Sequence, residues 1–253
     1  MNEYLRSHAF RLFVLPLCPS AFADDLSSLI HLKNYTAERI SAYARNGDNL
    51  DGDHRHPIAP GETRVIAEVA GPGIIKHIWI AFPSDEQYHL KKYVLRMHWD
   101  GDSLPAVEAQ AGDFFGRGLG EYAVYESGPL SVGSQKAMNC FFPMPFRKSA
   151  KLTVTNEGKL PLKAFYYNIE WEKHAILPAD TAYFYAGYRQ AVPHKGVRND
   201  WSLNSDPKDI NLMQNVNGEG NYVFFETEGH GHFVGVTLSV LQNQGDGWAR
   251  ATT

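Results

Sequence analysis

Polar side chains are concentrated between Arg45 and Asp53, where the sequence reads Arg-Asn-Gly-Asp-Asn-Leu-Asp-Gly-Asp and follows the aromatic Tyr43. Carboxylates and amides bind pairs of hydroxyl groups, and an aromatic ring stacks on a sugar, so this composition suits carbohydrate binding. An ordinary solvated loop has the same composition. A calcium loop is disfavoured because the Glu expected at its twelfth position is missing.

A second cluster runs from Gly112 to Gly118 and places Asp113 among glycines and the aromatic pair Phe114-Phe115. Glycine lets the backbone approach a ligand closely, which makes Asp113 a candidate ligand contact. A simple glycine-rich bend is the competing interpretation.

Two histidine pairs have a spacing of two residues, His54 with His56 and His230 with His232. On a strand both rings of a pair face one side and can share a metal ion. Neither pair is accompanied by a third potential ligand at a spacing typical of metal sites. We therefore expect these histidines to form hydrogen bonds, and we predict no metal or cofactor. The sequence also has no nucleophile elbow, phosphate-binding loop, dinucleotide fingerprint or Cys-x-x-Cys.

Length and composition bound the classes of protein. The chain has 253 residues, of which 43% are apolar and 13% aromatic, and its formal charge is −4. This charge offers no basic stripe for nucleic acid, and the sequence has no apolar run long enough to span a membrane. A soluble, β-rich globular protein is expected.

The dominant pattern is a period of two in short segments, which indicates half-buried strands. The clearest predicted strands are Tyr93–Trp99, the segment from Ala164 to Trp171, and Phe233–Leu241, and further strands are expected at Ile74–Phe82, Lys151–Asn156 and Tyr222–Glu226. Turn residues punctuate them, as in antiparallel sandwiches. The best helix candidates are Leu26–Leu32 and Asp180–Gln190.

The first residues resemble a secretory signal. Basic residues precede the apolar stretch Leu12–Leu17, which leads to Ala-Phe-Ala and then to Asp24. We expect cleavage after Ala23 and a periplasmic or secreted protein. Cys18 would leave with the signal, and Cys140 is predicted to be a buried thiol.

The remaining chain is predicted to hold a first domain over 24–172, followed by a linker and an incomplete second domain over 173–253. Strand alternation gives way to a Pro-containing loop near Lys173–Asp180. Only about three strand-like segments follow this loop, whereas a complete sandwich needs seven or eight.

Seven motifs, in order, resemble the domain-of-unknown-function family 2961, now glycoside hydrolase family 172. They are the loop 41–51, Gly-Pro-Gly-Ile-Ile-Lys-His-Ile-Trp-Ile (71–80), Trp-Asp-Gly (99–101), Gly-Asp-Phe-Phe-Gly (112–116), Pro-Met-Pro-Phe (143–146), Phe-Tyr-Tyr-Asn-Ile (165–169) and Gly-His-Gly-His-Phe-Val-Gly-Val (229–236).

The resemblance implies an all-β protein built of jelly-roll sandwiches, with a second jelly roll only begun, and assembly into trimers or their multiples. It also implies retaining chemistry at α-fructofuranosyl or arabinofuranosyl groups, with two carboxyl groups about 5 to 5.5 Å apart. The partners it implies are furanose-containing saccharides.

This sequence departs from the family where the catalytic residues are expected. The family continues from Gly-Trp-Trp into Gly-Glu-Gly-Asp and Gly-Thr-Glu-Asp-Tyr, which supply the nucleophile and the acid/base. Here Gly247-Trp248 is followed by Ala-Arg-Ala-Thr-Thr. Glu219 lies before the matching strand and is rejected as the nucleophile. We therefore expect no catalytic residue in this chain and no hydrolysis by it alone.

The residues in matched motifs that we expect to bind sugar are Arg45, Asn46, Asp48 and Asp113, in a site that the family forms near a subunit boundary. The alternative function is a noncatalytic jelly-roll module that binds carbohydrate or builds an oligomer. A third interpretation is that the chain does not fold stably, because its predicted strand at Phe233–Leu241 leaves an apolar edge unpaired.

Overall fold

The computed structural model describes residues 30–190, 216–218 and 222–240. The chain divides into two units, Met1–Asn34 and Tyr35–Thr253. The expected signal segment lies outside the described residues, as do most of the helix predicted at Leu26–Leu32 and residue 241 of the last predicted strand. Within the described ranges, no helix combines the length and the apolar composition needed to cross a bilayer.

The larger unit is built almost entirely of strands. In chain order they are β1 (Thr36–Ser41), β2 (Thr63–Ala70), β3 (Gly73–Ala81), β4 (Tyr93–Trp99), β5 (Val107–Gln110), β6 (Tyr125–Glu126), β7 (Leu130–Val132), β8 (Met138–Cys140), β9 (Met144–Phe146), β10 (Ser149–Asn156), β11 (Tyr166–Lys173) and β12 (Ala186–Gly187). A 3₁₀ turn at His89–Lys91 and one helical turn, α1 (Ala111–Phe114), interrupt them.

The strands form two sheets. The seven-stranded sheet has the order β1-β11-β3-β8-β7-β6, with β9 also paired to β3, and the five-stranded sheet has the order β12-β5-β4-β10-β2. All neighbouring strands are antiparallel except β12 and β5. Side chains from both sheets share one hydrophobic core, so the architecture is a β-sandwich.

Period-two patterning explains why these segments are strands. Leu95, Met97 and Trp99 of β4 are buried, and so are Ile169 and Trp171 of β11. Burial of one strand face fixes the register, because a slip of one residue would expose every one of these side chains. The predictions of an all-β fold and of strands in the regions of β3, β4, β10 and β11 are therefore confirmed.

The helix predicted at Asp180–Gln190 is wrong. This segment is extended, and Ala186 and Gly187 form β12 beside β5. Arg147 Nη2 donates hydrogen bonds to the carbonyl oxygens of Pro178, Ala179 and Thr181 at 3.0, 3.1 and 3.2 Å. The Trp99 indole N–H donates to the Phe184 carbonyl at 2.8 Å. These contacts hold the backbone against the five-stranded sheet.

The strands predicted at Tyr222–Glu226 and Phe233–Leu241 are not present in the described residues 222–226 and 233–240. Both segments are largely exposed, and their ring contact joins Phe225 and Phe233 at 4.7 Å between centroids. Arg189 donates to the Val223 carbonyl at 3.2 Å. The apolar alternation of these segments is therefore not matched by pairing with a neighbouring strand in the described part of the chain.

The loops that contain the predicted sugar-binding residues lie at one end of the sandwich. Pairing of Ser41 with Asn168 and of Ala81 with Tyr166 puts the ends of β1 and β3 beside the start of β11. Residues 82–92 connect that end of β3 to the start of β4, which pairs with the end of β5. The loop after β1 and the turn α1 after β5 therefore share this end.

Candidate functional site

The loop at residues 42–57, which we call the β1–β2 loop, is held by the backbone of β11. The Ala42 N–H donates to the Tyr167 carbonyl at 3.1 Å, and the Gly52 N–H donates to the Ala42 carbonyl at 2.7 Å. The Phe165 N–H donates to the Gly52 carbonyl at 2.9 Å. These bonds close the base of the loop and present residues 43–50 toward solvent.

Gly52 is the residue on which this closure depends. Its φ is +80°, and a Cβ at this position would lie 2.8 Å from the ring of Tyr166. Both the backbone conformation and the close approach of the ring require glycine. The Tyr166 hydroxyl lies 2.6 Å from His54 Nε2, so a second residue of the loop is attached to the same tyrosine.

Asp48 organises the tip of the loop. The Leu50 N–H donates to Asp48 Oδ1 at 3.0 Å, the Asn46 amide donates to Oδ2 at 2.9 Å, and Arg55 forms an ion pair with Oδ2. The Leu50 N–H, followed by the Asn46 amide and Arg55, holds the pKa of Asp48 below its ordinary value. Asp48 is therefore an anionic acceptor whose orientation is fixed by its neighbours.

Arg45 lies beside the aromatic ring that precedes it. Its guanidinium carbon is 5.0 Å from the centre of the Tyr43 ring, and its Nη1 donates to the Tyr43 hydroxyl at 3.3 Å. The side chains of Arg45 and Tyr43 are both exposed. Arg45 and Asn46, which carry hydrogen-bond donors, are three and two residues before Asp48 in the same loop. Donors, an acceptor and an aromatic face together suit the binding of a polyhydroxylated ring.

Asp113 lies in a separate group of side chains. It belongs to α1, and its Oδ2 accepts a hydrogen bond from Lys91 Nζ at 2.5 Å. The same Nζ lies 4.6 Å from the centre of the Tyr188 ring. Burial raises the pKa of Asp113 above its ordinary value, and Lys91 opposes this through its hydrogen bond and its charge. Asp113 is thus already engaged by a cation, which leaves less of its carboxylate free for a ligand.

The structure brings Arg45, Asn46 and Asp48 together but not Asp113. The β1–β2 loop lies beside β2, because Arg64 donates to Asp53 at 3.1 Å. The α1 turn lies beside β6, where the Tyr125 hydroxyl donates to the Phe115 carbonyl at 2.9 Å. Since β1 and β2 lie at one side of the sandwich and β5 and β6 lie at the other, the two groups occupy opposite sides of the same end.

Four residues that sequence reasoning did not select as sugar-binding candidates belong to these groups: Tyr166, Lys91, Tyr188 and His54, which was considered only as a possible metal ligand. Their positions depend on pairing between segments far apart in the chain. The one local signal was the Phe-Tyr-Tyr-Asn-Ile motif, which contains Tyr166. Tyr188 was placed in the erroneous helix.

The histidine pairs show no metal-binding geometry. Over the ranges 30–190, 216–218 and 222–240, no three His, Cys, Asp or Glu side chains converge on a common point. His54 contacts Tyr166, and His56 Nδ1 lies 2.8 Å from Asp53 Oδ1, so the two rings of this pair have different partners. Cys140 is a buried free thiol, as predicted from its neighbours, and burial raises its pKa to about 12.

Part of the chain is similar in sequence to a known family. Residues 51–166 match the family described as GH172 domain-like, so this range is similar to a glycoside hydrolase family 172 domain. The matched range includes Asp113 and Tyr166 and begins just after Arg45, Asn46 and Asp48. No curated protein matches the chain.

Among solved structures, one match is titled "Structure of infectious bursal disease virus Gx strain". Its sequence identity to this chain is 12% and its TM-score is 0.24, over 57% of this chain and 32% of the other. This chain therefore spans about a third of the length of the solved structure that it matches.

Proposed function

We propose that this chain is the furanoside-binding part of an exported retaining glycoside hydrolase, and that it binds α-fructofuranosyl or arabinofuranosyl groups without hydrolysing them. The single observation that supports this most is the match of residues 51–166 to the GH172 domain-like family. The match falls on the sandwich that positions both polar groups at one end.

The β1–β2 loop is the proposed binding surface. Arg45 and Asn46 donate hydrogen bonds to sugar hydroxyls, Asp48 accepts them, and the exposed ring of Tyr43 stacks on the apolar face of the sugar. The contacts of Asp48 with Asn46, Leu50 and Arg55 support this role because they orient the loop before a ligand arrives. Asp113, paired with Lys91, contributes from the opposite side of the same end.

The expected lack of hydrolysis follows from the residue types. Retaining hydrolysis needs a nucleophile and an acid/base, and the two motifs that supply them in the family do not occur in this sequence. The proposal also includes a jelly-roll topology, export to the periplasm or the medium, and assembly into trimers or their multiples, in which a neighbouring subunit completes the site.

A binding experiment tests the proposal directly. We expect the purified chain to bind α-1,5-arabino-oligosaccharides or inulin-type fructo-oligosaccharides in isothermal titration calorimetry. Asp48→Asn should weaken binding by at least roughly tenfold, because one charged hydrogen bond contributes about 1.5–3 kcal/mol. Glu108→Gln is the matched control, since Glu108 is also a carboxylate paired with an arginine but is more exposed and lies on the five-stranded sheet.

Kinetics supply the second half of the test. The same protein should release no nitrophenol from 4-nitrophenyl α-L-arabinofuranoside above the rate without protein. Turnover that Asp48→Asn or Asp113→Asn abolishes would contradict the noncatalytic assignment. Absence of binding to both oligosaccharide series would contradict the furanoside assignment itself.

A further inference from the structure

The outer face of the seven-stranded sheet presents a row of side chains that crosses five strands. Residues facing one another in the ladders are Ser41 with Asn168, Asn168 with Trp79, Trp79 with Asn139, and Asn139 with Ser131. Their neighbours along each strand point into the core, among them Ile78, Ile80, Met138 and Cys140. The row therefore faces away from the core.

Trp79 is the centre of this row. It is only half-buried, and it does not belong to the hydrophobic core, unlike Trp99 and Trp171. In the described part of the chain its indole N–H has no hydrogen-bond partner, and neither does the side-chain amide of Asn168. Packing of the fold does not explain why a large aromatic side chain lies on the outer face of this sheet beside free hydrogen-bond donors and acceptors.

The neighbouring row of the sheet contains His77 and Glu170, and His77 orients the side-chain amide of Asn139. His77 Nε2 lies 3.0 Å from Asn139 Oδ1, and His77 Nδ1 lies 3.3 Å from Glu170 Oε2. The ring of His77 stacks on Phe141 with 4.5 Å between centroids and 1° between planes. Donation by His77 to the amide oxygen leaves the Asn139 NH₂ group free to donate.

We propose that Trp79, flanked by Asn139 and Asn168, binds a further sugar ring of the oligosaccharide whose end is held by the β1–β2 loop. The ring stacks on the indole, and the two amides bind its hydroxyl groups from the adjacent strands, each about 4.8 Å away. This inference rests on the proposed function and extends its binding surface along the sheet.

Tyr166 connects the two parts of this surface. It lies on the same outer face as Asn168, two residues before it in β11, and its ring packs against Gly52 while its hydroxyl contacts His54. Two residues of a strand span roughly 7 Å, a distance comparable with one sugar unit. A chain of sugars can therefore pass from the loop across Tyr166 to Trp79 without leaving the protein surface.

An oligosaccharide fits this face better than a protein partner. Protein interfaces are depleted of Lys and Glu at their centres, whereas exposed Glu170 lies two residues from Asn168, the ladder partner of Trp79, and exposed Lys76 lies three residues before Trp79 in β3. Amides on both adjacent strands flank the Trp79 ring, and amides bind the hydroxyl groups of a sugar that stacks on the indole.

Calorimetry with oligosaccharides of two and six units tests the inference, using both the arabino and the fructo series. In the series that binds, we expect the six-unit ligand to bind roughly tenfold more tightly than the two-unit ligand. Trp79→Ala should remove this gain and leave the two-unit affinity unchanged, and Trp79→Phe should restore part of it. Tyr185→Ala is the matched control, because Tyr185 is an exposed aromatic outside the seven-stranded sheet.

The outcomes separate the two proposals. The role of Trp79 is overturned, and the furanoside assignment stays intact, if the tighter binding of the six-unit ligand survives in a folded Trp79→Ala protein. The same conclusion follows if this length-dependent gain in affinity is lost in Trp79→Phe and in Tyr185→Ala alike. Absence of binding by the unmodified chain overturns both. Loss of two-unit binding in Trp79→Ala with an unchanged thermal melt also overturns the inference, since Trp79 would then act at the loop.

Discussion

The Tyr183 hydroxyl donates a hydrogen bond to the carboxylate of Asp100, a residue 83 positions earlier in the chain. The other oxygen of Asp100 accepts hydrogen bonds from the backbone N–H groups of Arg147 and Lys148 at 2.8 and 2.6 Å. One carboxylate thus joins the turn after β4, the turn before β10 and the extended segment that leads to β12.

Removal of the tyrosine hydroxyl should loosen this junction. We expect Tyr183→Phe to lower the free energy of unfolding by about 1–3 kcal/mol, because a half-buried charged acceptor loses one donor. Tyr185→Phe serves as the control, since Tyr185 is 67% exposed. Urea denaturation of both variants measures the difference, and equal stabilities would show that Tyr183 does not hold the segment.

The charge of Asp100 should make this stabilisation depend on pH. Burial acts to raise the pKa of Asp100, but the hydrogen bonds from Tyr183, Lys148, Ser149 and Arg147 outweigh it and leave the pKa below its ordinary value. A lowered pKa in the folded state stabilises the protein above the unfolded value of about 3.9, and this contribution is lost as the pH falls through the folded value.

Asp100→Asn removes that titration and retains an acceptor in a residue type that tolerates the positive φ of this position, 57°. We expect the variant to be less stable at pH 7 and the gap to the unmodified chain to narrow as the pH is lowered below about 4. Urea midpoints measured across this pH range give the answer. A gap that stays constant with pH would contradict an ionised Asp100.

Glycine at position 52 should be more important than glycine at position 47. Both have positive φ, 80° and 82°, but only at Gly52 would a Cβ meet the Tyr166 ring. We expect Gly47→Ala to cost about 1 kcal/mol of stability from backbone strain alone, and Gly52→Ala to cost at least about 2 kcal/mol. Thermal or urea unfolding compares the pair, and equal losses would mean that Tyr166 moves aside freely.

Lys91 should stabilise the protein through Asp113. The Lys91 side chain is 24% exposed and the Asp113 side chain is 15% exposed, so Lys91→Met leaves a largely shielded carboxylate without its cation. We expect a loss of about 1–3 kcal/mol at pH 7. Lys163→Met should cost little, because the Lys163–Asp85 pair is exposed.

This loss depends on pH in the same direction as that of Asp100→Asn, although its cause is different. The pKa of Asp113 is already raised by burial, and removal of Lys91 raises it further. Protonation relieves the unpaired charge, so the deficit of Lys91→Met should shrink as the pH falls through the pKa of Asp113. A deficit that grows in acid would contradict the pairing.

Cys140 should be inert toward thiol reagents. Burial raises its pKa to about 12, and the side chain is fully enclosed, so little thiolate forms at neutral pH. We expect peptide mapping after iodoacetamide treatment to find Cys140 modified in urea but not in buffer. Modification in buffer at the rate of an exposed thiol would show that the core around β8 opens readily.

The parts of the fold that could be predicted from sequence are those in which a strand buries one face. Leu95, Met97 and Trp99 mark β4 by their spacing, and Ile169 and Trp171 do the same for β11. The partners of these strands were not predictable, because β10 lies between β4 and β2 through contacts distant in sequence.

The erroneous helix shows how tertiary contacts override local propensity. Asp180 gave a capping signal, yet Phe184, Ala186 and Tyr188 all pack against the core at a spacing of two. That alternation was the strand signal in the segment. The segment follows this strand pattern and not the helix signal because Trp99, Asp100 and Arg147, which lie far away in the sequence, bind it.

Which of the candidate residues lie together was predictable only where they are neighbours in sequence. Arg45, Asn46 and Asp48 form one loop, so composition was sufficient to group them. Asp113 was grouped with them by residue type, and the order of the strands places it on the other side of the sandwich. Trp79 was part of a recognised motif, but only the register of β3 with β8 and β11 shows what flanks it.

The position of the β1–β2 loop at the end of the sandwich also bears on how ligand preference can change during evolution or in the laboratory. The exposed residues Arg45, Asn46 and Asn49 contribute nothing to the pairing of the sheets, so substitutions there would change the proposed binding surface at little cost in folding. Gly52 and Tyr166 are fixed by their mutual contact. A combinatorial library confined to positions 43, 45, 46 and 49 would therefore explore new specificities while Gly47 and Asp48 keep the loop in place.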